Sequence, residues 1–142
     1  VIGKRCQRTT RSEALDYVAG YTIGLDMTIR GPELQSFRKS VDTYAVCGPW
    51  LVTSDELFNP DNLKLSLWVN GKLRQSASTN RLIYDVPRLI EYASSFYTLD
   101  PGDLLFTGTP EGVGPVRPGD IITAEISGIG SMRVEVAENY FV

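Results

Sequence analysis

The segment from Gly20 to Trp50, GYTIGLDMTIRGPELQSFRKSVDTYAVCGPW, places Asp26, Arg30 and Lys39 among residues that otherwise read as buried strand and glycine-rich loop. An acid, a guanidinium and an ammonium so close in sequence suit a divalent cation together with a carboxylate-bearing ligand. The acid holds the cation and the two bases hold the anion. Magnesium and manganese prefer oxygen ligands, and one carboxylate alone does not bind them tightly. Arg30 can clamp a carboxylate with two parallel hydrogen bonds. Lys39 can neutralise an enolate or a second carboxylate. Plainer readings stand beside these. Asp26 can be an exposed or hydrogen-bonded strand acid, Arg30 a salt-bridge partner of Asp26 or Glu33, and Lys39 a solvated surface charge.

A second motif is Thr107-Gly108-Thr109-Pro110-Glu111-Gly112, after the apolar run Leu104-Leu105-Phe106. Its amides and hydroxyls can hold an anionic oxygen. The spacing matches neither a P-loop nor a dinucleotide fingerprint, so by itself the motif reads as a turn. Histidine is absent from the chain. That excludes histidine ligands, a Ser-His or Cys-His pair and a histidine base from within it. Proton transfer must use a carboxylate, a lysine, a metal-bound water or a group from outside.

The elements that position these residues follow from periodicity. Residues 1–6 read as a short strand that looks like the end of a longer one, with an N-terminal portion expected before Val1. Ser12 is placed to cap about two helical turns over 13–18. Tyr21 to Ile29 alternates: Ile23, Leu25, Met27 and Ile29 form one face, and Thr22, Gly24, Asp26, Thr28 and Arg30 the other. Gly31-Pro32 ends the strand, and 33–39 reads as a lid-like turn or short helix. A strand over 43–53 and a loop over 55–62 follow. Leu63 to Val69 and Lys72 to Gln75 flank Asn70-Gly71, a two-residue hairpin signal in which both residues accept positive φ. Residues 86–96 form a helix with Leu89, Ile90, Ala93 and Phe96 as its apolar stripe. Leu104 to Phe106 reads as a buried strand, and 121–127 and 132–137 as two final strands. The expected fold is one mostly-β α+β domain over 1–142, rolled or barrel-like, with two short helices.

Bulk properties narrow the function classes. The chain has 142 residues and a formal net charge of −3, with no basic patch, so nucleic acid is not an expected partner. No apolar run is long enough for a membrane helix, and no signal peptide is visible. Cys6 and Cys47 read as free, buried thiols of a reducing compartment, which implies a cytoplasmic protein.

The segments DYVAGYTIGLDMTIR (16–30), RKSVDTYAVCGPWLV (38–52), LSLWVNGKLRQ (65–75), LDPGDLLFTGTPEGVG (99–114) and VRPGD (116–120) resemble the fumarylacetoacetate hydrolase superfamily over nearly the whole chain. The resemblance implies a homodimer of a mixed β-roll. It also implies magnesium or manganese held by a Glu-x-Glu pair and one aspartate, and a small 2-oxo or 1,3-dioxo acid as substrate. Asp26 then corresponds to the aspartate ligand, Arg30 to the substrate-side arginine and Lys39 to the lysine beside the metal. Thr43 falls in a loop near the cation, and Thr109 corresponds to the threonine on the substrate carboxylate. Two features depart from the pattern. The Glu-x-Glu pair and the histidine–glutamate pair of the lid belong upstream of Val1. Gly31-Pro32-Glu33 stands where many members have Asp-Leu-Gln, so Glu33 replaces a substrate-side glutamine.

LDMTIRGPE and SFRKS lean toward the isomerase and decarboxylase branch, with an enolate formed from a hydroxymuconate-type compound. Carbon–carbon hydrolysis of an acylpyruvate or fumarylacetoacetate type is the alternative. A non-catalytic scaffold or a metal-independent ligand-binding module are readings from other classes.

Overall fold

The structure, a computed structural model, describes residues 1–57 and 59–138. Phe58, inside the expected 55–62 loop, and residues 139–142 lie outside the described residues. The elements run β1 (Gly20–Asp26), α1 (Gln35–Lys39), β2 (Ala45–Thr53), β3 (Lys64–Val69), β4 (Lys72–Ser78), α2 (Val86–Phe96), β5 (Ile121–Ile126) and β6 (Gly130–Glu135). This is the expected mostly-β α+β class with two helices. β1 and β2 form one antiparallel sheet, and the other has the order β4-β3-β5-β6, antiparallel throughout.

The two sheets bury one core between them. Ile23 and Leu25 of β1 meet Val69 of β3, Ile122 and Ala124 of β5 and Met132 of β6. The alternation of β1 dictates this: Ile23 and Leu25 are buried, whereas Gly24 and Asp26 face out. Trp50 of β2, itself exposed, ties β2 to the turn before β6. Its indole nitrogen donates to the Ile129 carbonyl (2.6 Å), and its ring lies where a Cβ at Gly130 would stand. At the Asn70-Gly71 turn both φ angles are positive, 50° and 75°, as a type I′ hairpin requires. The Asn70 side chain also binds Asp120 and the Ile121 amide, joining the hairpin to the start of β5.

A second cluster holds the N-terminal segment on α2 through Ile2, Cys6, Ala14, Val18, Val86 and Ile90. Here several expectations need correction. Residues 1–6 form no strand. Ile2 and Cys6 make single bridges to Val18 and Leu99, so the backbone groups are satisfied by scattered partners rather than by a ladder. The helix over 13–18 is a single 3₁₀ turn at Ala14–Tyr17, too short to nucleate an α-helix, and Ser12 does not cap it. The buried line of α2 is Val86, Ile90 and Ser94. Ser94 is buried because its hydroxyl accepts from the Thr9 amide (3.2 Å) and donates to the Glu91 carbonyl (3.2 Å). Phe96 instead pairs edge-on with Tyr92 on the open side. Leu104 to Phe106 joins no ladder. Leu105 packs on the second cluster, while Leu104 and Phe106 are exposed. Cys47 is exposed, unlike Cys6, because it lies on the outer face of β2; both thiols are free, as expected.

Asp85 caps α2 by accepting from the Arg88 amide (2.9 Å). That bond, and then Arg11, hold its carboxyl below the ordinary carboxylate range. Asp85→Ala is expected to cost about 1 kcal/mol in urea denaturation at neutral pH. Because the folded-state value is depressed, the contribution is complete above the unfolded carboxyl's range and disappears as pH falls through the folded one. Asp85→Asn caps without titrating and is expected to lack this acid-dependent loss.

Candidate functional site

Asp26 is the last residue of β1, paired in register with Ala45 of β2. The chain then leaves the sheet and returns at Tyr44, whose carbonyl accepts from the Met27 amide (2.9 Å). Across this excursion the Ile29 amide donates to the Arg38 carbonyl (3.0 Å), and Arg38 Nη1 donates to the Gly31 carbonyl (3.2 Å). These bonds fold α1 back over the end of β1. Lys39, the last residue of α1, therefore reaches Asp26, donating to Asp26 Oδ2 and to Thr28 Oγ1, the latter at 3.3 Å. Thr28 Oγ1 donates to the Asp26 main-chain oxygen (3.1 Å). Lys39 is thus a surface charge with a partner.

The pair is open to solvent: the Lys39 and Asp26 side chains are 49% and 44% exposed. A surface ion pair of this kind contributes only about 0–1 kcal/mol, so either partner can be exchanged cheaply for a ligand. α1 buries none of its residues, and Phe37 within it and Leu34 just before it are exposed.

The other sequence candidates are arranged differently. β1 stops at Asp26, so the alternation expected to carry Arg30 to the same strand face does not reach it. Gly31-Pro32 and the Arg38 contacts turn the chain before a longer ladder forms. Arg30 is exposed and enters no ion pair among the described residues. The Glu33 carboxylate folds over Gly31, where a Cβ would stand 2.1 Å from Oε2. Thr43 adopts φ 70°, a left-handed conformation uncommon for a β-branched residue.

Thr109 is held by β4. Gln75 Nε2 donates to Thr109 Oγ1 (2.8 Å) and to the Pro110 carbonyl (2.9 Å). Upstream in the same segment, the Phe106 ring rests on Gly24 of β1, where a Cβ would meet it at 2.6 Å. One loop therefore touches both β4 and the strand that ends in Asp26. Gln75 was invisible to sequence reasoning, because it reads as one more polar residue of the hairpin. Gly24 carried a usable signal, since a glycine inside a strand pattern marks a close approach.

Among the described residues, no three His, Cys, Asp or Glu side chains converge on a point that could hold a metal. Asp26 is a hard oxygen donor that belongs to no such cluster. Two open concavities, of about 500 and 650 Å³, lie elsewhere: one is lined by residues that include Lys4, Asp16 and Asp55, the other by Arg11, Asp85 and Glu91 among others. No helix among the described residues is long and apolar enough to cross a membrane.

Residues 1–137 match the family model described as fumarylacetoacetate (FAA) hydrolase C-terminal. The chain belongs to this family. Within the fumarylacetoacetate hydrolase family it is 58% identical, over 96% of its own length, to 47% of a maleylpyruvate hydrolase of Aquipseudomonas alcaligenes. It is 44% identical to a bifunctional isomerase/decarboxylase of 4-hydroxyphenylacetate degradation from Salmonella dublin, over 93% of this chain and 32% of that one. The crystal structure of maleylpyruvate hydrolase from Sphingobium sp. SYK-6, in complex with manganese(II) and pyruvate, superposes with a TM-score of 0.92 at 47% identity, over 96% of this chain and 51% of that one. The chain thus spans about half, or less, of the length of these relatives.

Thr43→Gly removes a Cβ from a left-handed position and is expected to raise stability by about 0.5–1 kcal/mol net of glycine's greater unfolded-state entropy. Urea denaturation measures it. A loss of stability would mean that the threonine side chain, rather than the turn geometry, holds this segment.

Proposed function

We propose that residues 1–142 form one catalytic domain of a divalent-metal-dependent enzyme that acts on a small 2-oxo acid through an enolate. The reaction proposed is hydrolytic carbon–carbon cleavage of an acylpyruvate. The observation that carries this reading is the solvent-open Asp26–Lys39 pair at the end of β1. The similarity to maleylpyruvate hydrolase supports the hydrolytic choice over the isomerase and decarboxylase preference drawn from the motifs.

In this reading Asp26 is one oxygen ligand of magnesium or manganese, and the other ligands come from outside the described residues or from water. The metal, when bound, supplies Lewis-acid chemistry at the oxo group. Lys39 exchanges Asp26 for the anionic oxygen of the substrate and places positive charge where the enolate develops. Arg30 and Thr109 bind carboxylate oxygens, Glu33 faces the acyl part, and Thr43 shapes the turn beside the cation. Water adds to the distal acyl carbon, and the bond from that carbon to the pyruvate methylene breaks. The electron pair passes into the pyruvate enolate, which takes a proton at the methylene carbon. The products are a carboxylic acid and pyruvate. With no histidine in the chain, proton transfer falls to a carboxylate, a lysine, water or a group outside this sequence.

Isomerisation or decarboxylation is the second reading. It is favoured by the 44% identity to the bifunctional isomerase/decarboxylase, and decarboxylation requires no base to activate water. Two further proposals are a homodimer, which rests on the family resemblance, and a cytoplasmic location, which rests on the free Cys6 and Cys47.

The test is a manganese-supplemented assay of the whole encoded protein on acylpyruvates and oxo acids, with products identified. One pyruvate and one carboxylic acid per substrate are expected. Release of carbon dioxide or an isomerised diene would favour the second reading. Lys39→Met is expected to lower kcat about 100-fold with a smaller change in KM. A change confined to KM would make Lys39 a binding residue and remove it from the chemistry.

A further inference from the structure

We infer that Gln75 is a positioning residue: its buried amide fixes the Thr109 hydroxyl as a hydrogen-bond donor aimed at the carboxylate of the oxo acid. The inference rests on the proposed contact between Thr109 and that carboxylate.

Gln75 is the one buried residue of β4, at 8% exposed, although β4 is an edge strand. The Thr109 loop covers it. The orientation of its amide follows from its neighbours. The Pro110 carbonyl is an acceptor only, so the group facing it must be the NH₂ end. That end has two hydrogens. One goes to Pro110 (2.9 Å) and the other to Thr109 Oγ1 (2.8 Å). A threonine hydroxyl has a single hydrogen. Since its oxygen accepts from Gln75, that hydrogen points elsewhere and is available to a ligand. An anionic carboxylate oxygen is the acceptor that gains most from such a donor.

A second feature holds the loop in register with Gln75. Gly112 has φ 97°, and a Cβ there would lie 1.9 Å from the Arg74 carbonyl oxygen. The loop is pressed against the backbone of the residue that precedes Gln75. The hydroxyl of Thr109 is therefore set by β4 rather than by the free conformations of a glycine-rich turn.

Gln75→Glu preserves size and reverses polarity. At neutral pH the introduced carboxylate opposes the Pro110 carbonyl and draws the Thr109 hydrogen toward itself. In the whole encoded protein with manganese, pyruvate affinity is expected to fall roughly tenfold and to recover as pH is lowered and the carboxyl regains a hydrogen. Thr109→Val is expected to give a similar loss, and the double variant no more than either single one. Unchanged pyruvate affinity in folded Gln75→Glu, or losses that add, would overturn the inference. An unchanged affinity in Thr109→Val would instead sink the underlying carboxylate contact. Gln75→Met, apolar and of similar length, serves if the carboxyl variant does not fold: a loss that does not add to that of Thr109→Val supports the role, and an additive loss overturns it.

Discussion

The placement of Thr109 depends on how closely the 104–114 loop approaches the two sheets. Two glycines make that approach possible. Gly24 admits the Phe106 ring onto β1, and Gly112 admits the loop onto the backbone of β4. A side chain at either position would have to push the loop off by more than packed contacts tolerate. Gln75 then adds direction to proximity, because its amide binds Thr109 and Pro110 at once. The core between the sheets provides the rigid frame on which the loop is held. A donor bonded to the Thr109 oxygen keeps that hydroxyl's hydrogen from pointing at Gln75, a constraint that a glycine-rich turn alone would not impose.

The Asp26–Lys39 pair obeys the opposite logic. It sits at a strand end, half exposed, on a five-residue helix that buries nothing. Its contribution to stability is small. A pair of this kind is easily opened, which suits the partner exchange proposed for Lys39. The proposed site would thus combine one fixed wall, built on β4, with one adjustable wall, built on the excursion between β1 and β2. Thr43, with its left-handed backbone at the return of that excursion, is where the adjustable wall rejoins the sheet.

Much of this was legible in the residues. The period-2 pattern around Ile23 and Leu25 identified both the buried face of β1 and the outward Asp26. Asn70-Gly71 identified the hairpin. The errors share a cause: local pattern does not reveal which backbone has a partner. Leu104-Leu105-Phe106 is apolar enough for a buried strand, yet it joins no strand among the described residues. Residues 1–6 look extended but are held by isolated bridges. Arg30 seemed aligned with Asp26 because the alternation was carried four residues too far, past the point where the chain turns toward α1. Gln75 lay beyond any such pattern, since its importance comes from a loop more than thirty residues away in sequence.

The most direct test of the central claim is thermal unfolding of the whole encoded protein with manganese, with and without pyruvate, on wild type and on Asp26→Ala. A ligand present at about 100 times its dissociation constant adds roughly 2.7 kcal/mol of stability, enough to shift the melting temperature visibly. The account predicts that pyruvate stabilises the wild type only when manganese is present, and that the effect vanishes in Asp26→Ala. Pyruvate stabilisation that is independent of the metal, or that survives intact in Asp26→Ala, would contradict it.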